Sequence, residues 1–289
     1  MSLPKGYIVS VGGAEDKGPT QQKMEELSHH QKFFEAGVLR NIINLIEEDS
    51  KPIVEVVTTA SSIPDQTAQI YENAFCHLGC DYVGHLHICS REDADRPAIL
   101  ERLKNCNCLM FSGGDQLKLC TVFGGTKFLN ILKRRYSTEH FVIAGTSAGA
   151  MAMSYMMIYE GDAGDAHLKG EVKMTTGFGF LKDVIIDTHF DKRGRFNRLA
   201  QAVAAQPGII GIGLGEDTGI IVSGGHHLKA IGFGCVTIID GKHINHNNIA
   251  EIDNGQPISV GNLTVHIMSN SDVYNLKTRI YEGNIPEYK

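Results

Sequence analysis

Phe141-Val142-Ile143-Ala144-Gly145-Thr146-Ser147-Ala148-Gly149 is the stretch whose reading decides the fold. Its four apolar residues read as a buried strand. They run into Gly-x-Ser-x-Gly, after which small residues open a helical pattern. In a strand-to-helix setting this motif is a nucleophile elbow, a tight and strained turn with room only for small neighbours around the serine. Ser147 would stand at a helix N-terminus, where backbone N–H groups and the dipole favour developing negative charge. The competing reading is a tight turn with a capping serine; the preceding strand favours the nucleophile.

The same strand–helix alternation extends outward from this elbow. Upstream, 7–11, 53–58, 82–88 and 108–111 read as strands. Helical patterns separate them at 21–48, 65–78 and 96–104, and another spans 116–134. In the first, Phe34, Val38, Ile42 and Ile46 recur every four residues on one face, and Gly79 stops the second. Strands alternating with helices imply right-handed crossovers and a mostly parallel sheet covered on both faces. After about residue 160 the texture changes. A strand at 184–187 precedes a helix at 192–205, with Phe196, Leu199 and Val203 as its apolar stripe. Short strands at 209–214, 219–222, 228–231 and 235–239 then suggest antiparallel hairpins. The expectation is a single α/β hydrolytic domain over 1–289, a mostly parallel sheet flanked by helices, with an antiparallel C-terminal extension.

Composition narrows the function classes. The 289 residues carry a net charge of -6, with 42% hydrophobic and 21% charged content. That is ordinary for a soluble protein and lacks the basic face a nucleic-acid partner would need. No run of 18 apolar residues spans a membrane, and the N-terminal MSLPKGYIVSVGG has no secretory pattern. The seven cysteines form no CxxC motif. Cys76 and Cys108 read as small buried hydrophobes, without disulfides, in a reducing cytoplasm.

A serine nucleophile needs a base and an orienting third group. His189 closes the apolar run Val184-Ile185-Ile186-Asp187-Thr188, and strand ends of this kind carry sites in open α/β sheets. Glu216 and Asp217 follow Ile212-Gly213-Leu214-Gly215, and the residues alone do not choose between them. A second loop, Ser112-Gly113-Gly114-Asp115-Gln116, also follows an apolar strand, and Gly114 with Ala148 would supply oxyanion-hole N–H groups. Arg193, Arg195 and Arg198 open the helix after His189, which hints at carboxylate binding as much as at a solvated surface. His85 and His87 share one strand face, but no third ligand accompanies them, so no metal is expected.

Taken together, these pieces resemble the serine peptidase family that contains cyanophycinase and aspartyl dipeptidase. The resemblance runs through Gly12–Lys17, Ser112–Gln116, Gly145–Ala150, Asp187–Leu199 and Gly213–Asp217 to about Val273–Arg279. It implies a fold like that of class I glutamine amidotransferases, which would need cysteine where Ser147 stands. It also implies a Ser147–His189–Glu216 triad, no cofactor and a homodimer. The arginine-rich helix and the Gly-Gly-Asp-Gln loop resemble the cyanophycinase branch. The implied reaction is hydrolysis of the aspartyl backbone of cyanophycin to β-Asp-Arg dipeptides. Gln116 would meet the aspartyl unit, the three arginines its carboxylates, and Asp187 its guanidinium. One position departs. The family reads Asp-Gln-His-Phe where this chain has Asp187-Thr188-His189-Phe190, so one substrate contact is missing or rebuilt. An aspartyl or isoaspartyl dipeptidase is the alternative within the family, and a catalytically silent binding homologue the alternative outside enzymes.

Overall fold

The structure is a computed structural model and describes residues 3–18, 37–47 and 51–283. Its strands are β1 (Tyr7–Val11), β2 (Ile53–Val57), β3 (Tyr82–Leu86), β4 (Cys108–Phe111), β5 (Val142–Thr146), β6 (Met156–Glu160), β7 (Lys173–Thr176), β8 (Val184–Thr188) and β9 (Ile210–Leu214). They continue as β10 (Thr218–Ser223), β11 (His227–Gly232), β12 (Val236–Asp240), β13 (His246–Asn247), β14 (Val260–Gly261), β15 (Thr264–Met268), β16 (Val273–Asn275) and β17 (Ile280–Glu282). The helices are α1 (Val38–Ile43), α2 (Pro64–His77), α3 (Arg91–Ala94), α4 (Pro97–Asn105), α5 (Gln116–Phe123), α6 (Lys127–Thr138), α7 (Ala148–Met151) and α8 (Phe196–Ala205). Among the described residues no helix is long and apolar enough to cross a membrane.

One large sheet has the order β17-β16-β11-β10-β1-β5-β4-β2-β3. From β1 to β3 every pairing is parallel, as the strand–helix alternation requires. Strand β10 adds antiparallel to β1, and β11, β16 and β17 continue that half. Both faces are buried because successive side chains point opposite ways. Ile8, Leu109, Phe111 and Ile143 enter one core with α5, α6 and α8. Val9, Val11, Cys108, Met110 and Ala144 enter the other, with α1 and α2.

The C-terminal strands depart from the expected run of hairpins. Of the four strands expected over 209–239, only β10 and β11 form one. Strands β9 and β12 pair antiparallel with each other in a second sheet of order β15-β12-β9-β8, where β8 and β9 are parallel. Packing explains the separation. A Cβ at Gly211 would come within 2.8 Å of Leu199, and one at Gly213 within 2.5 Å of the Phe190 ring. Glycines therefore let β9 lie directly beneath α8 and Phe190.

Helix boundaries also shift. The pattern at 116–134 divides into α5 and α6 at Gly124-Gly125, where Gly125 has φ +75°. Thr126 then caps α6 by accepting the Leu129 N–H at 3.2 Å. The pattern at 192–205 becomes helical only at Phe196, so Arg193 and Arg195 precede α8 rather than opening it. Phe196 is 43% exposed, and the buried stripe is Leu199 with Val203. Of the helix expected over 21–48, α1 falls among the described residues. Val38, Ile42 and Ile46 are buried there, while Phe34 lies outside the described residues. All seven cysteines are free, but Cys76 is exposed instead of buried.

Candidate active site

Strand β1 ends in Val11-Gly12-Gly13, and three successive carbonyls there hold three segments together. Val11 O accepts the Ser147 N–H at 2.9 Å, Gly12 O the His189 N–H at 2.8 Å, and Gly13 O the Asp217 N–H at 3.0 Å. The glycines make this possible. A Cβ on Gly12 would lie 1.9 Å from the Gly215 carbonyl oxygen, and one on Gly13 2.4 Å from His189 Cε1. In the sequence this pair has no role beyond opening the Gly12–Lys17 stretch of the family resemblance; its signal is two glycines directly after an apolar strand.

Ser147 follows β5 and precedes α7 with φ +49°. Its flanking glycines face close neighbours: a Cβ on Gly145 would meet Gly149 at 2.5 Å, and one on Gly149 the Phe111 carbonyl at 2.5 Å. Ser147 Oγ lies 3.2 Å from His189 Nε2, and His189 Nδ1 lies 3.0 Å from Glu216 Oε1. Asp217 is turned elsewhere, its carboxylate accepting the Asp16 N–H at 3.2 Å. Ala14, Ser147, His189 and Asp217, none of them glycine, all have φ between +47° and +49°. Such backbone is costly and persists where surrounding structure holds it in place.

Gly114 has φ +139°, and a Cβ there would lie 2.0 Å from the Ala60 carbonyl oxygen. Gly113 packs on Ser147, with a Cβ position 3.3 Å from the serine Cβ. Ala148 is the first residue of α7, so its N–H has no acceptor within the helix.

These groups open onto a cavity of about 490 Å³ lined by Gly13, Glu15, Lys17, Tyr71, Gly114, Gln116, Ser147, Thr188, His189 and the three arginines. Glu15 is 4% exposed. Tyr71 Oη donates to it, Thr146 Oγ1 donates at 2.6 Å and Lys17 Nζ lies at 3.0 Å. Burial alone would raise its carboxyl pKa, but Lys17 and the two hydroxyl donors outweigh burial and hold it below the usual range. Burial and the Glu15 charge push the Tyr71 hydroxyl well up. Glu15 and Lys17 lie in the Gly12–Lys17 stretch of the family resemblance but had no assigned role, and Tyr71 had no signal because it arrives from α2, far along the chain.

The arginines part company. Arg198 is 4% exposed and grips Asp187 with Nε at 2.8 Å and with Nη2, while Nη1 donates to Gly161 O at 2.9 Å. Arg195 donates to Asp187 Oδ1 at 3.2 Å and Thr188 O at 2.7 Å. Asp187 is fully buried. Its expected role toward a substrate guanidinium is therefore corrected, because the chain's own arginines occupy that carboxylate. Arg193 is exposed at the cavity and forms no ion pair among the described residues. Burial, with Arg198 and Arg193 close by, pulls the Arg195 guanidinium down to about 10 despite Asp187. It stays protonated at neutral pH, so one carboxylate faces a surplus of positive charge. Gln116 Nε2 donates to Tyr159 O at 3.1 Å and to Ile158 O at 3.3 Å. Thr188 is fully buried, and its Oγ1 has no hydrogen-bond partner among the described residues.

Comparison with known proteins gives a consistent family. Residues 27–230 match the family described as peptidase family S51. A cyanophycinase from Trichormus variabilis is 34% identical over 275 residues, spanning 95% of this chain and 87% of that protein. The cyanophycinase of Synechococcus elongatus is 33% identical over 274 residues, spanning 95% and 80%. A crystal structure of a peptidase from an acI-B1 Actinobacterium has TM-score 0.61 at 24% identity, covering 92% of this chain and 98% of that one. A putative peptidase E protein from Listeria monocytogenes EGD-e has TM-score 0.50 at 14% identity, covering 79% and 99%. At these identities the structural likeness concerns the fold.

Proposed function

This chain belongs to peptidase family S51 and is a serine-type peptidase, and from that premise we propose that it hydrolyses cyanophycin, releasing β-Asp-Arg dipeptides. The observation that carries this reading is the chain of contacts from Ser147 Oγ through His189 to Glu216, at 3.2 and 3.0 Å. Ser147 Oγ adds to the carbonyl carbon of an aspartyl backbone peptide bond while His189 Nε2 takes the hydroxyl proton. Glu216 holds the Nδ1 tautomer and stabilises the imidazolium. The N–H groups of Gly114 and Ala148 receive the oxyanion. His189 passes the proton to the leaving backbone nitrogen as the C–N bond breaks, leaving an acyl ester on Ser147. Water, deprotonated by His189, adds to the ester, and its collapse frees the carboxylate and restores the serine.

The cavity supports a carboxylate-rich substrate. Lys17, Arg193 and Arg195 line it, and the one carboxylate among its described lining residues, Glu15, is already paired. Arg193 and Arg195 are suited to aspartyl carboxylates as charge-assisted donors. Gln116, its amide N–H groups spent on β6 backbone, has its carbonyl oxygen to offer. Seven free cysteines fit action in a reducing cytoplasm.

The test is incubation with purified cyanophycin and with short Asp-X and β-Asp-X peptides, products read by mass spectrometry. Dipeptides should accumulate from the polymer, and Ser147→Ala should lose activity by a factor on the order of 10⁶. Thr188, which replaces the family glutamine, sets the second reading. Should the enzyme ignore cyanophycin yet cleave a short aspartyl peptide, it is a dipeptidase using the same three residues. Retention of a tenth of the rate by Ser147→Ala would overturn the nucleophile.

A further inference from the structure

Outside the catalytic cavity, His85 ends near the tip of β3 and His87 follows it, both on one face of the chain. The fold brings Asp65, in the first turn of α2, to the same place. One ligand atom from each of Asp65, His85 and His87 lies within 4.8 Å of the others. Asp65 Oδ1 is 3.8 Å from His87 Nδ1, and the two imidazoles meet edge to face with centroids 5.5 Å apart. We infer that these three residues bind one borderline divalent cation of the zinc class, which ties α2 to the edge strand β3.

The tautomers carry the argument as much as the distances. A ligating histidine gives one ring nitrogen to the metal and engages the other with an outer partner that fixes its orientation. Both histidines are arranged in this way. His85 Nε2 lies 2.7 Å from Thr58 Oγ1, leaving Nδ1 for a cation. His87 Nε2 lies 3.2 Å from Cys89 Sγ, leaving Nδ1, the atom that faces Asp65. Two imidazoles and a carboxylate suit zinc, cobalt or nickel rather than calcium or magnesium, which prefer all-oxygen sites. Ligands bound at about 2.1 Å in a tetrahedron stand roughly 3.4 Å apart. The required closure is small, and it falls on side chains free to move: Asp65 is 85% exposed and His87 57%. Three protein ligands leave the fourth position to water.

None of the three residues lines the catalytic cavity, but Thr67, Ile70 and Tyr71 of the same helix do. The cation therefore braces the first turn of a helix that forms the cavity wall. It takes no part in the chemistry at Ser147, so this inference stands apart from the substrate assignment.

The experiment uses the tag-free full chain, stripped with chelator and titrated with Co²⁺ as an optical probe and with Zn²⁺ by calorimetry. One Co²⁺ per chain should bind with a visible ligand-field band, and Zn²⁺ should displace it. Zn²⁺ should also raise the melting temperature. His87→Ala and Asp65→Ala, both at exposed positions, should abolish the band and the thermal shift. Thr58→Val should weaken binding about 10- to 100-fold through the lost outer partner. Absence of saturable binding at millimolar Zn²⁺, or a one-to-one site that survives both His85→Ala and His87→Ala, would overturn the inference.

Discussion

Arg198 and Asp187 face each other as a two-pronged ion pair with almost no access to solvent, eleven residues apart in sequence and joined across the junction of β8 and α8. A buried pair of this kind is strongly destabilising when one partner is removed, because the other charge is left uncompensated. Arg198→Ala leaves Asp187 only the longer Arg195 contact, at 3.2 Å, and should cost about 3 kcal/mol in denaturant unfolding, the low end for such a loss. If its stability is unchanged and only substrate affinity falls, Arg198 belongs to the substrate after all.

Arg193 should behave oppositely. It is exposed and forms no ion pair among the described residues, so Arg193→Ala leaves unfolding unchanged. It should lower kcat/KM for an aspartyl polymer by roughly 10-fold, the low end for a lost charge-assisted bond in a solvated setting. Steady-state kinetics beside a melting curve separates the two arginines. Equal kinetics for Arg193→Ala and wild type would remove this residue from substrate binding.

Gly13 tests the seating of the base. An alanine there has φ +103° to adopt and a Cβ 2.4 Å from His189 Cε1, so the imidazole must shift. A displacement near 1 Å at a catalytic group costs on the order of 100-fold in rate. Gly13→Ala should therefore lose kcat by about that factor while remaining folded by circular dichroism. A fully active variant would mean that the ring is not held where the structure has it.

Thr188 pits stability against function. Its buried hydroxyl has no partner among the described residues, and an unsatisfied buried hydroxyl costs about 1–3 kcal/mol. Thr188→Val should raise stability by roughly 1 kcal/mol. If that hydroxyl meets the substrate, KM rises at the same time. Stabilisation without any kinetic change would leave the threonine as a relic of the lost glutamine.

Acid should weaken the fold partly through Glu15. Its folded pKa is depressed, so the unfolded chain binds the extra proton. The stabilisation is complete above the unfolded value of about 4.3 and disappears as pH falls through the lower folded value. Unfolding free energy measured from pH 6 downward should decline in that window, and Glu15→Gln should flatten the decline. Identical curves for the two proteins would show that the Lys17, Thr146 and Tyr71 contacts contribute nothing.

The sequence by itself determined the parallel half of the sheet, the tight turn at Ser147 and the strand that leads into His189. Tyr7–Val11 and Cys108–Phe111 were legible to the residue because a strand buried on both faces writes its apolar run continuously into the chain. The Gly-x-Ser-x-Gly pattern was legible because one of its two close approaches, Gly145 against Gly149, lies only four residues away, the other being Gly149 against Phe111. Only tertiary structure decided what depends on long-range approach. It supplies the reason that Glu216, which the family resemblance had implied, faces His189 and Asp217 does not: the Gly13 carbonyl captures the Asp217 N–H and Asp16 captures its carboxylate. It turned Asp187 inward to Arg198, and it brought Asp65 to a histidine pair that shows no third ligand along the chain. Hydrophobic periodicity reports which face of an element is buried, and it carries no information on which distant polar group will be waiting there.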